Sequence, residues 1–253
     1  MHELTWEPAG EHLVVARMDG IAVLRIDRPD KLNALTPTML PALASAIRDH
    51  SATTRGLVLT GTGRAFSAGD DLDATADLDA TAFDELIEGF QGLTRAVLDT
   101  EVPVVAAING LAVGGAAELT VACDARIAAP DAFLLFPENG LGLTISNGST
   151  HLLREIVGAR ALPLILDGGR IDADDALALG LFTELADDPV GAAVERIGRW
   201  VAEGTATRWH LRMLRPDRAA VEAALQRESE IAREAFAAGV VTAGAAGFRD
   251  RAR

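Results

Sequence analysis

Two glutamates beside short glycine turns are the side chains in this sequence that are best placed to do chemistry. Glu118 lies three residues after Gly115, where a glycine turn leads into a helix-forming segment. The first N–H groups of a helix lack partners within the helix, and the helix dipole favours negative charge there. Helical side chains lean toward the N-terminus, so the Glu118 carboxylate should return toward the Gly115 amide. One turn of chain therefore offers an oxyanion donor and a candidate base; a glycine turn with a solvated Glu is the alternative.

The second glutamate, Glu138, follows the apolar run at 133–136 and lies in the turn that begins at Pro137. An isolated Glu in a loop is usually solvated, so the local pattern alone does not assign it a role. The segment 61–72 is rich in small residues, which allow a ligand to approach the backbone closely. A purely structural loop explains that segment equally well.

The elements around these residues alternate between strand and helix. An apolar run at 104–108 is typical of a strand buried on both faces of a parallel sheet. Further strands are predicted at 12–17, 21–27, 56–60, 125–129 and 133–136, with Asp19-Gly20 as a hairpin turn. Helices are predicted at 36–49, with Thr36 as N-cap and Pro37 at the first helical position, and at 81–98, 150–157, 159–166, 172–179, 189–203 and 219–238. This order predicts an α/β core followed by a helical extension.

The apolar face of the predicted helix 81–98 includes Phe83, Leu86, Ile87 and Phe90. Such a face most often packs in the core. The alternative is that it lines the pocket for an acyl group.

Composition narrows the classes of function. The chain has 253 residues, is 49% hydrophobic, and carries a formal net charge of −14, which argues against a nucleic-acid groove or an anionic membrane surface. Cys123 is the only cysteine, so we expect no intrachain disulfide and no metal site. The N-terminal residues lack an apolar signal region, and no apolar run is long enough for a membrane span, so we expect a cytoplasmic protein.

Four segments, in this order and spacing, resemble the enoyl-CoA hydratase/isomerase (crotonase) family. They are RPDKLNAL at 28–35, FSAGDDL at 66–72, the stretch 108–118 and FPENGLGL at 136–143, with further similarity at 170–181. The resemblance implies an α/β fold, a crotonase-like spiral of ββα units with a C-terminal helical region. It also implies a core at 1–190 and a helical oligomerisation region at 191–253, which would support homotrimers or homohexamers.

The function that the resemblance implies is hydration of a 2-enoyl-CoA to a 3-hydroxyacyl-CoA, with an acyl-CoA thioester as substrate and no further cofactor. The family's oxyanion-hole amides fall on Asp70 and Gly115, and its glutamate pair falls on Glu118 and Glu138. We expect the helix N-terminus to keep Glu118 ionised, while apolar neighbours let Glu138 hold its proton longer. We therefore hypothesise that Glu118 activates water and Glu138 supplies the C2 proton.

The same resemblance implies the residues that contact the coenzyme A moiety and the rest of the substrate. These are Lys31, Leu32, Ala34, Ser67, Ala68, Leu72, Leu111, Gly114, Pro137, Leu141, Phe248 and Arg251, the last two reaching a neighbouring subunit's nucleotide. Lys31 or Arg64 is a candidate phosphate partner. Two segments depart from the family pattern: acidic Asp73 follows the FSAGDDL motif where many members have a basic residue, and 144–151 replaces a glycine-rich turn. His151, in the second segment, is expected to pack or face solvent.

Other functions compete with hydration. Isomerases of the same family generally need only the second glutamate, and its hydrolases and decarboxylases alter one or both. A non-catalytic acyl-CoA-binding or RNA-binding relative is a different class, and the negative charge disfavours RNA. A Ser-His-Asp hydrolase lacks its G-x-S-x-G elbow, and Gly110 to Gly115 does not form the G-x-G-x-x-G of a dinucleotide-binding fold.

Overall fold

Two sheets and a set of surrounding helices make up the fold. A computed structural model describes residues 5–75 and 78–241 of the chain. The strands of these residues are β1 (Glu7–Gly10), β2 (Leu13–Met18), β3 (Ile21–Ile26), β4 (Leu57–Gly61), β5 (Ala65–Ser67), β6 (Val104–Ile108), β7 (Leu111–Val113), β8 (Ala125–Ala128), β9 (Phe133–Leu135), β10 (Arg170–Asp172) and β11 (Glu184–Leu185). The helices are α1 (Met39–Thr53), α2 (Ala80–Leu98), α3 (Gly115–Ala122), α4 (Glu138–Leu141), α5 (Ser149–Val157), α6 (Ala161–Asp167), α7 (Ala173–Ala178), α8 (Pro189–Trp200), α9 (Thr207–Leu214) and α10 (Arg218–Ala237).

The chain alternates between the two sheets in a repeated ββα pattern. Within the described residues, the larger sheet has the order β1-β2-β3-β4-β6-β8-β11 and the smaller sheet the order β10-β9-β7-β5. Each of the units β4-β5-α2, β6-β7-α3 and β8-β9-α4 places its first strand in the larger sheet and its second in the smaller one. Strands β3, β4, β6, β8 and β11 pair in parallel. The expected α/β spiral of ββα units with C-terminal helices is confirmed.

Both faces of the larger sheet are covered, which explains why its central strands are almost wholly apolar. On one face lie the side chains of α1, α2 and α3, which form the main core with Leu24, Leu57 and Ala106. On the other face, Val194 and Ile197 of α8 pack with side chains of β3, β4, β6 and β8. The glycine turns at Gly69 and Gly114 follow β5 and β7 of the smaller sheet, so the packing of these strands positions the two turns.

The hairpin between β2 and β3 turns at the predicted Asp19-Gly20, where both residues have positive φ (52° and 77°). The predicted start of α1 is wrong by a few residues, because the helix begins at Met39 with Thr38 as N-cap. Thr36 nevertheless makes the capping contacts that the sequence predicts: its hydroxyl accepts from the Met39 N–H at 3.3 Å, and its carbonyl accepts from the N–H groups of Met39 and Leu40.

The C-terminal part of the chain contains a helix that the sequence analysis did not predict. Helix α9 has apolar residues at helical spacing, Trp209 and Met213 among them, but it buries none of its residues. Helix α8, in contrast, begins at Pro189 and contributes to the core. A division of the chain at residue 190 into a core and an oligomerisation region stays a prediction.

Candidate active site

A cavity of about 550 Å³ lies where the glycine turns, α2 and α4 meet. It contains both predicted glutamates, both predicted oxyanion-hole residues and most of the predicted substrate contacts. The predicted residues that line it are Lys31, Leu32, Ala34, Ala68, Asp70, Leu72, Gly114, Gly115, Glu118, Pro137, Glu138 and Leu141. Segments far apart in sequence therefore meet at one place.

Two of the predicted substrate contacts within the described residues, Ser67 and Leu111, do not line this cavity. Ser67 is buried beneath it, where its hydroxyl donates to the Asn33 carbonyl (2.7 Å) and accepts from the Gly69 N–H (3.1 Å). Leu111 lies in β7 and pairs with β5 and β9. Ser67 thus supports the loop instead of touching the cavity. Phe248 and Arg251 lie outside the described residues.

The backbone N–H groups of Asp70 and Gly115 are both free of hydrogen bonds to other described groups. Around Asp70, the bonds run from the Leu35 N–H to the Gly69 carbonyl and from the Asp71 N–H to the Leu35 carbonyl, which turns the Asp70 N–H to the other side. Gly115 opens α3, where the first N–H groups lack helical acceptors.

The two backbones approach each other closely. Gly69 has φ +80°, and a Cβ built on it would lie 2.4 Å from the Val113 carbonyl oxygen and 3.5 Å from the Gly115 nitrogen. Only glycine allows this combination of positive φ and close approach. The 69–70 peptide and the start of α3 therefore lie side by side at the cavity wall.

Glu118 is 1% exposed and lines the cavity from the first turn of α3. Its Oε2 accepts a hydrogen bond from the Ser146 N–H at 2.7 Å. Burial, followed by the nearby carboxyls of Glu138 and Glu228, raises the pKa of Glu118 well above its ordinary value. The expectation that the helix N-terminus keeps Glu118 ionised is therefore wrong, because desolvation and two like charges outweigh that dipole.

Glu138 is 5% exposed and begins α4, a single helical turn that the sequence suggested was a loop. Its Oε1 lies 3.0 Å from the point where a Cβ on Gly114 would stand, so the carboxyl reaches the glycine turn before α3. Its Oε2 is buried and has no hydrogen-bond partner among the described residues. Burial raises the pKa of Glu138 to about 7, which agrees with the expectation that this side chain holds its proton.

The two glutamates thus form a buried carboxyl pair with no cationic partner among the described residues. The charge on Glu138 opposes ionisation of Glu118, which is what two carboxyls close together do. Such a pair holds a proton near neutral pH and can both accept and donate one.

One wall of the cavity is apolar and comes from α2. Phe83, Leu86, Ile87 and Phe90 all line it, and Leu86 and Phe90 also belong to the main core. The sequence analysis favoured core packing over an acyl pocket for this face, and the face does both. The Phe90 ring lies so close to Gly115 that a Cβ there would stand 2.5 Å from it.

The rim of the cavity carries charged side chains that are already paired. The Lys31 ammonium bonds Asp73 at 2.9 Å, and this contact raises the Lys31 pKa. Arg28 bonds Asp71 at 2.5 Å. Asp73, noted in the sequence only as a missing phosphate partner, is therefore the residue that holds Lys31. Arg64 is exposed and does not line the cavity.

The contacts of the segment 144–151 are the part of the site that the sequence predicted least well. The segment predicts the cap of a helix, and α5 does begin there, but Ser146 also binds Glu118. The His151 Nε2 lies 3.2 Å from the Glu155 Oε1 on α5, and His151 is absent from the cavity wall, as expected. No local pattern in the sequence indicates that Glu228, about 80 residues later, bonds this segment.

Two features of other classes of protein are missing from the described residues. No group of three or more His, Cys, Asp or Glu side chains in residues 5–75 and 78–241 is arranged to hold a metal ion. In the same part of the chain, no helix has both the length and the apolar character that crossing a bilayer requires.

Comparison with known proteins identifies the family. The model of the enoyl-CoA hydratase/isomerase family matches residues 16–248. A probable enoyl-CoA hydratase, echA6 of Mycobacterium leprae, is 34% identical over 76% of this chain and 75% of that protein. A crotonyl-CoA hydratase of Syntrophomonas wolfei is 36% identical over 70% of each chain. The crystal structure of an enoyl-CoA hydratase/isomerase from Mycobacterium paratuberculosis has a TM-score of 0.85 at 29% identity, covering 95% of this chain and 98% of that one. The chain belongs to the enoyl-CoA hydratase/isomerase family.

Proposed function

We propose that this chain adds water to a 2-enoyl-CoA and so forms a 3-hydroxyacyl-CoA. The observation that carries the proposal is the meeting of two buried carboxyls and two unpaired backbone N–H groups at one cavity. Relatives named enoyl-CoA hydratase and crotonyl-CoA hydratase support the same reaction. Because hydration changes no oxidation state overall, coenzyme A as part of the substrate suffices and no redox cofactor is required.

In this proposal the Asp70 and Gly115 N–H groups bind the thioester oxygen. As water adds, the α-carbon becomes enolate-like and negative charge develops on that oxygen. A fixed donor aimed at such an oxygen typically stabilises the transition state by about 3 kcal/mol. Both N–H groups are free, so accepting this charge disrupts no existing hydrogen bond.

In this proposal the Glu118 and Glu138 carboxyls remove a proton from water and deliver a proton to C2. Because the pKa of Glu118 is raised, the reactive form of the pair is the one in which Glu118 has given up its proton, a state that the Ser146 N–H favours. In that form Glu118 takes a proton from the water whose oxygen bonds C3. The neutral member, assigned to Glu138, gives its proton to C2 as the double bond is consumed. Net addition of H and OH leaves one proton on the pair as before, so proton exchange between the carboxyls restores the starting state. The raised pKa of Glu138, about 7, leaves a substantial fraction of this acid protonated near neutral pH.

The rest of the cavity would bind the acyl group and the coenzyme A moiety of the substrate. The α2 wall, with Leu86 and Phe90, would hold the acyl group, while Leu32, Ala68 and Leu72 would contact the pantetheine arm. Coenzyme A phosphates would lie toward the rim, where Lys31 must be shared with Asp73.

The association of this chain into oligomers is a separate proposal. Helix α9 exposes Trp209, Met213 and Leu214 and buries none of its residues, which supports association into a homotrimer or homohexamer. The expected cytoplasmic location stays a prediction.

Turnover of a short 2-enoyl-CoA by the purified protein tests the proposal. Loss of the conjugated absorbance reports hydration, and replacing Glu118 or Glu138 by Gln should each lower kcat by roughly 10²–10⁴-fold. Glu155→Gln is a matched control, because Glu155 is half exposed on α5, is absent from the wall of the cavity, and among the described residues forms its ion pair with His151. Unchanged turnover in both of the Glu118 and Glu138 variants would end the assignment.

Double-bond isomerisation is the second candidate. The Glu138 carboxyl, with its unpartnered Oε2 and a pKa near neutrality, is also suited to move one proton between two carbons of an enoyl thioester. Product analysis with 2-enoyl and 3-enoyl thioesters separates the reactions. A 3-hydroxy product supports hydration, whereas a shifted double bond without added water supports isomerisation.

A further inference from the structure

A third buried glutamate, Glu228, lies behind the proposed catalytic pair and does not line the cavity. It is on α10 and is only 3% exposed. One carboxylate oxygen accepts from the Gly148 N–H at 2.8 Å, and the other accepts from the Thr150 N–H at 2.9 Å and the Thr150 hydroxyl at 2.6 Å. A carboxylate this deeply buried is costly unless it is well bonded, and here three donors satisfy it.

These bonds make Glu228 the cap of α5. The N-cap residue of α5 is Gly148, which has φ 73° and no side chain with which to satisfy the first N–H groups of the helix. Acidic groups are stabilising at a helix N-terminus for electrostatic reasons as well. The cap is therefore supplied by a helix that lies about 80 residues further along the chain.

The residues just before α5 are the ones that hold Glu118. Ser146 donates its N–H to the Glu118 Oε2 at 2.7 Å, and its carbonyl accepts from the Ser149 N–H at 2.9 Å. Asn147 has a positive φ of 60°, an uncommon conformation that Asn tolerates better than most non-glycine residues and that its surroundings here hold in place.

Those surroundings are bonds to two other helices. The Asn147 amide donates to the Gly115 carbonyl at 3.0 Å, and the Asn147 carbonyl accepts from the Thr94 hydroxyl of α2 at 2.9 Å. With Glu228 bonding the next residue, the turn is held from α2, α3 and α10 at once. The Ser146 N–H therefore points at Glu118 because this turn is fixed.

We propose that Glu228 is a positioning residue: by capping α5 it fixes the 146–150 turn, which in turn fixes the orientation of the Glu118 carboxyl. The inference rests on the proposed function for its catalytic consequence. Glu228 also acts on Glu118 by charge, since the carboxyls that oppose ionisation of Glu118 are Glu138 on α4 and Glu228 on α10, while the Ser146 N–H favours it. A group this far behind the reacting atoms should change kcat with little effect on KM.

The test is a double-mutant cycle on kcat with the full-length protein. Glu228→Gln keeps the shape of the side chain but removes one of its two acceptor oxygens, so it should lower kcat about 10- to 100-fold, as expected when a catalytic group moves by roughly 1 Å. If Glu228 works through Glu118, the same change in a Glu118→Gln background should cost less than about twofold. A purely structural role would lower activity by the same factor in both backgrounds.

Ser229→Ala is the matched control. Ser229 is the next residue of α10, and its hydroxyl accepts from the Gln91 side chain at 2.9 Å, so this variant loses an α10–α2 bond without touching the turn. All variants are compared well below their melting temperatures. A Glu228→Gln kcat within about twofold of Ser229→Ala overturns the proposal, as does an equal loss in both backgrounds.

Deuterium exchange of the peptide that covers 144–151 separates this inference from the proposed function. Exchange should be faster in Glu228→Gln than in the wild type and in Ser229→Ala, because the turn loses its anchor. If the wild type turns over no enoyl-CoA, the proposed function fails and this exchange alone decides the positioning claim. Unchanged exchange in Glu228→Gln overturns it whatever the activity.

Discussion

Gly69→Ala should separate the two proposed oxyanion donors without removing any reacting side chain. The added Cβ would lie 2.4 Å from the Val113 carbonyl oxygen. Since heavy atoms in ordinary contact stand roughly 3.5 Å apart, one of the two segments must move by about 1 Å. The Cβ also lies 3.5 Å from the Gly115 nitrogen, so the movement falls on the gap between the Asp70 and Gly115 N–H groups.

The expected fall in kcat of Gly69→Ala follows from that displacement. Misplacing a catalytic group by about 1 Å costs roughly 10²-fold, and losing one oxyanion donor costs roughly 10²–10³-fold. We therefore expect kcat to fall by about 10²-fold. Stability also falls, because alanine at a φ of +80° costs about 1–2 kcal/mol in addition to the crowding.

Gly63→Ala separates these two effects. Gly63 has a similar φ of +75°, but the nearest atom to its added Cβ is the Pro29 Cβ at 3.9 Å, so it carries the conformational cost without the crowding. The assay is the initial rate of enoyl-CoA hydration together with a thermal melt of each variant. Gly63→Ala should have a lower melting temperature than the wild type, but its kcat should stay within about twofold of the wild-type value. A folded Gly69→Ala with a similarly preserved kcat would refute the oxyanion assignment.

Two further predictions concern stability and assembly. The pKa of Glu138 is raised to about 7 in the folded chain, so its contribution to stability is complete below pH 4.5, its ordinary value, and is lost as pH rises through 7. Across that window the free energy of unfolding of the wild type should fall by up to ~3 kcal/mol relative to that of Glu138→Gln. Denaturant unfolding at a series of pH values measures this difference. If the two free energies change in parallel with pH, the burial of a neutral carboxyl is contradicted. Trp209 is 60% exposed on α9, and Trp209→Glu should lower the mass seen by light scattering if this face joins subunits; an unchanged mass would place the interface elsewhere.

Local patterns in the sequence predict the elements that frame the cavity. The apolar run 104–108, the Asp19-Gly20 hairpin and the amphipathic pattern of 81–98 depend on residues close together in the chain, and each corresponds to an element of the structure. The glycine turn before Glu118 does so as well. Short-range steric and hydrogen-bonding rules suffice for these features.

The burial and charge of the site depend on contacts that no local pattern contains. The sequence places Glu118 at a helix N-terminus, which favours ionisation, yet the pKa of Glu118 is raised because the fold buries it beside Glu138 and Glu228. Ser146 is predicted as part of a helix cap, and only the tertiary structure brings its N–H to Glu118. Helix α9 was not predicted although Trp209 and Met213 stand four residues apart, and its apolar side chains are exposed instead of packed in the core.

The most direct test of the central claim is hydration of a short 2-enoyl-CoA in ¹⁸O-labelled water, with the product analysed by mass spectrometry. Two amides on the thioester oxygen and a carboxyl pair beside the double bond predict loss of the conjugated absorbance and a labelled oxygen at the C3 hydroxyl. The label should vanish with the activity in Glu118→Gln. Folded wild-type protein that leaves the substrate unconsumed, or a product without label at C3, would contradict the proposal.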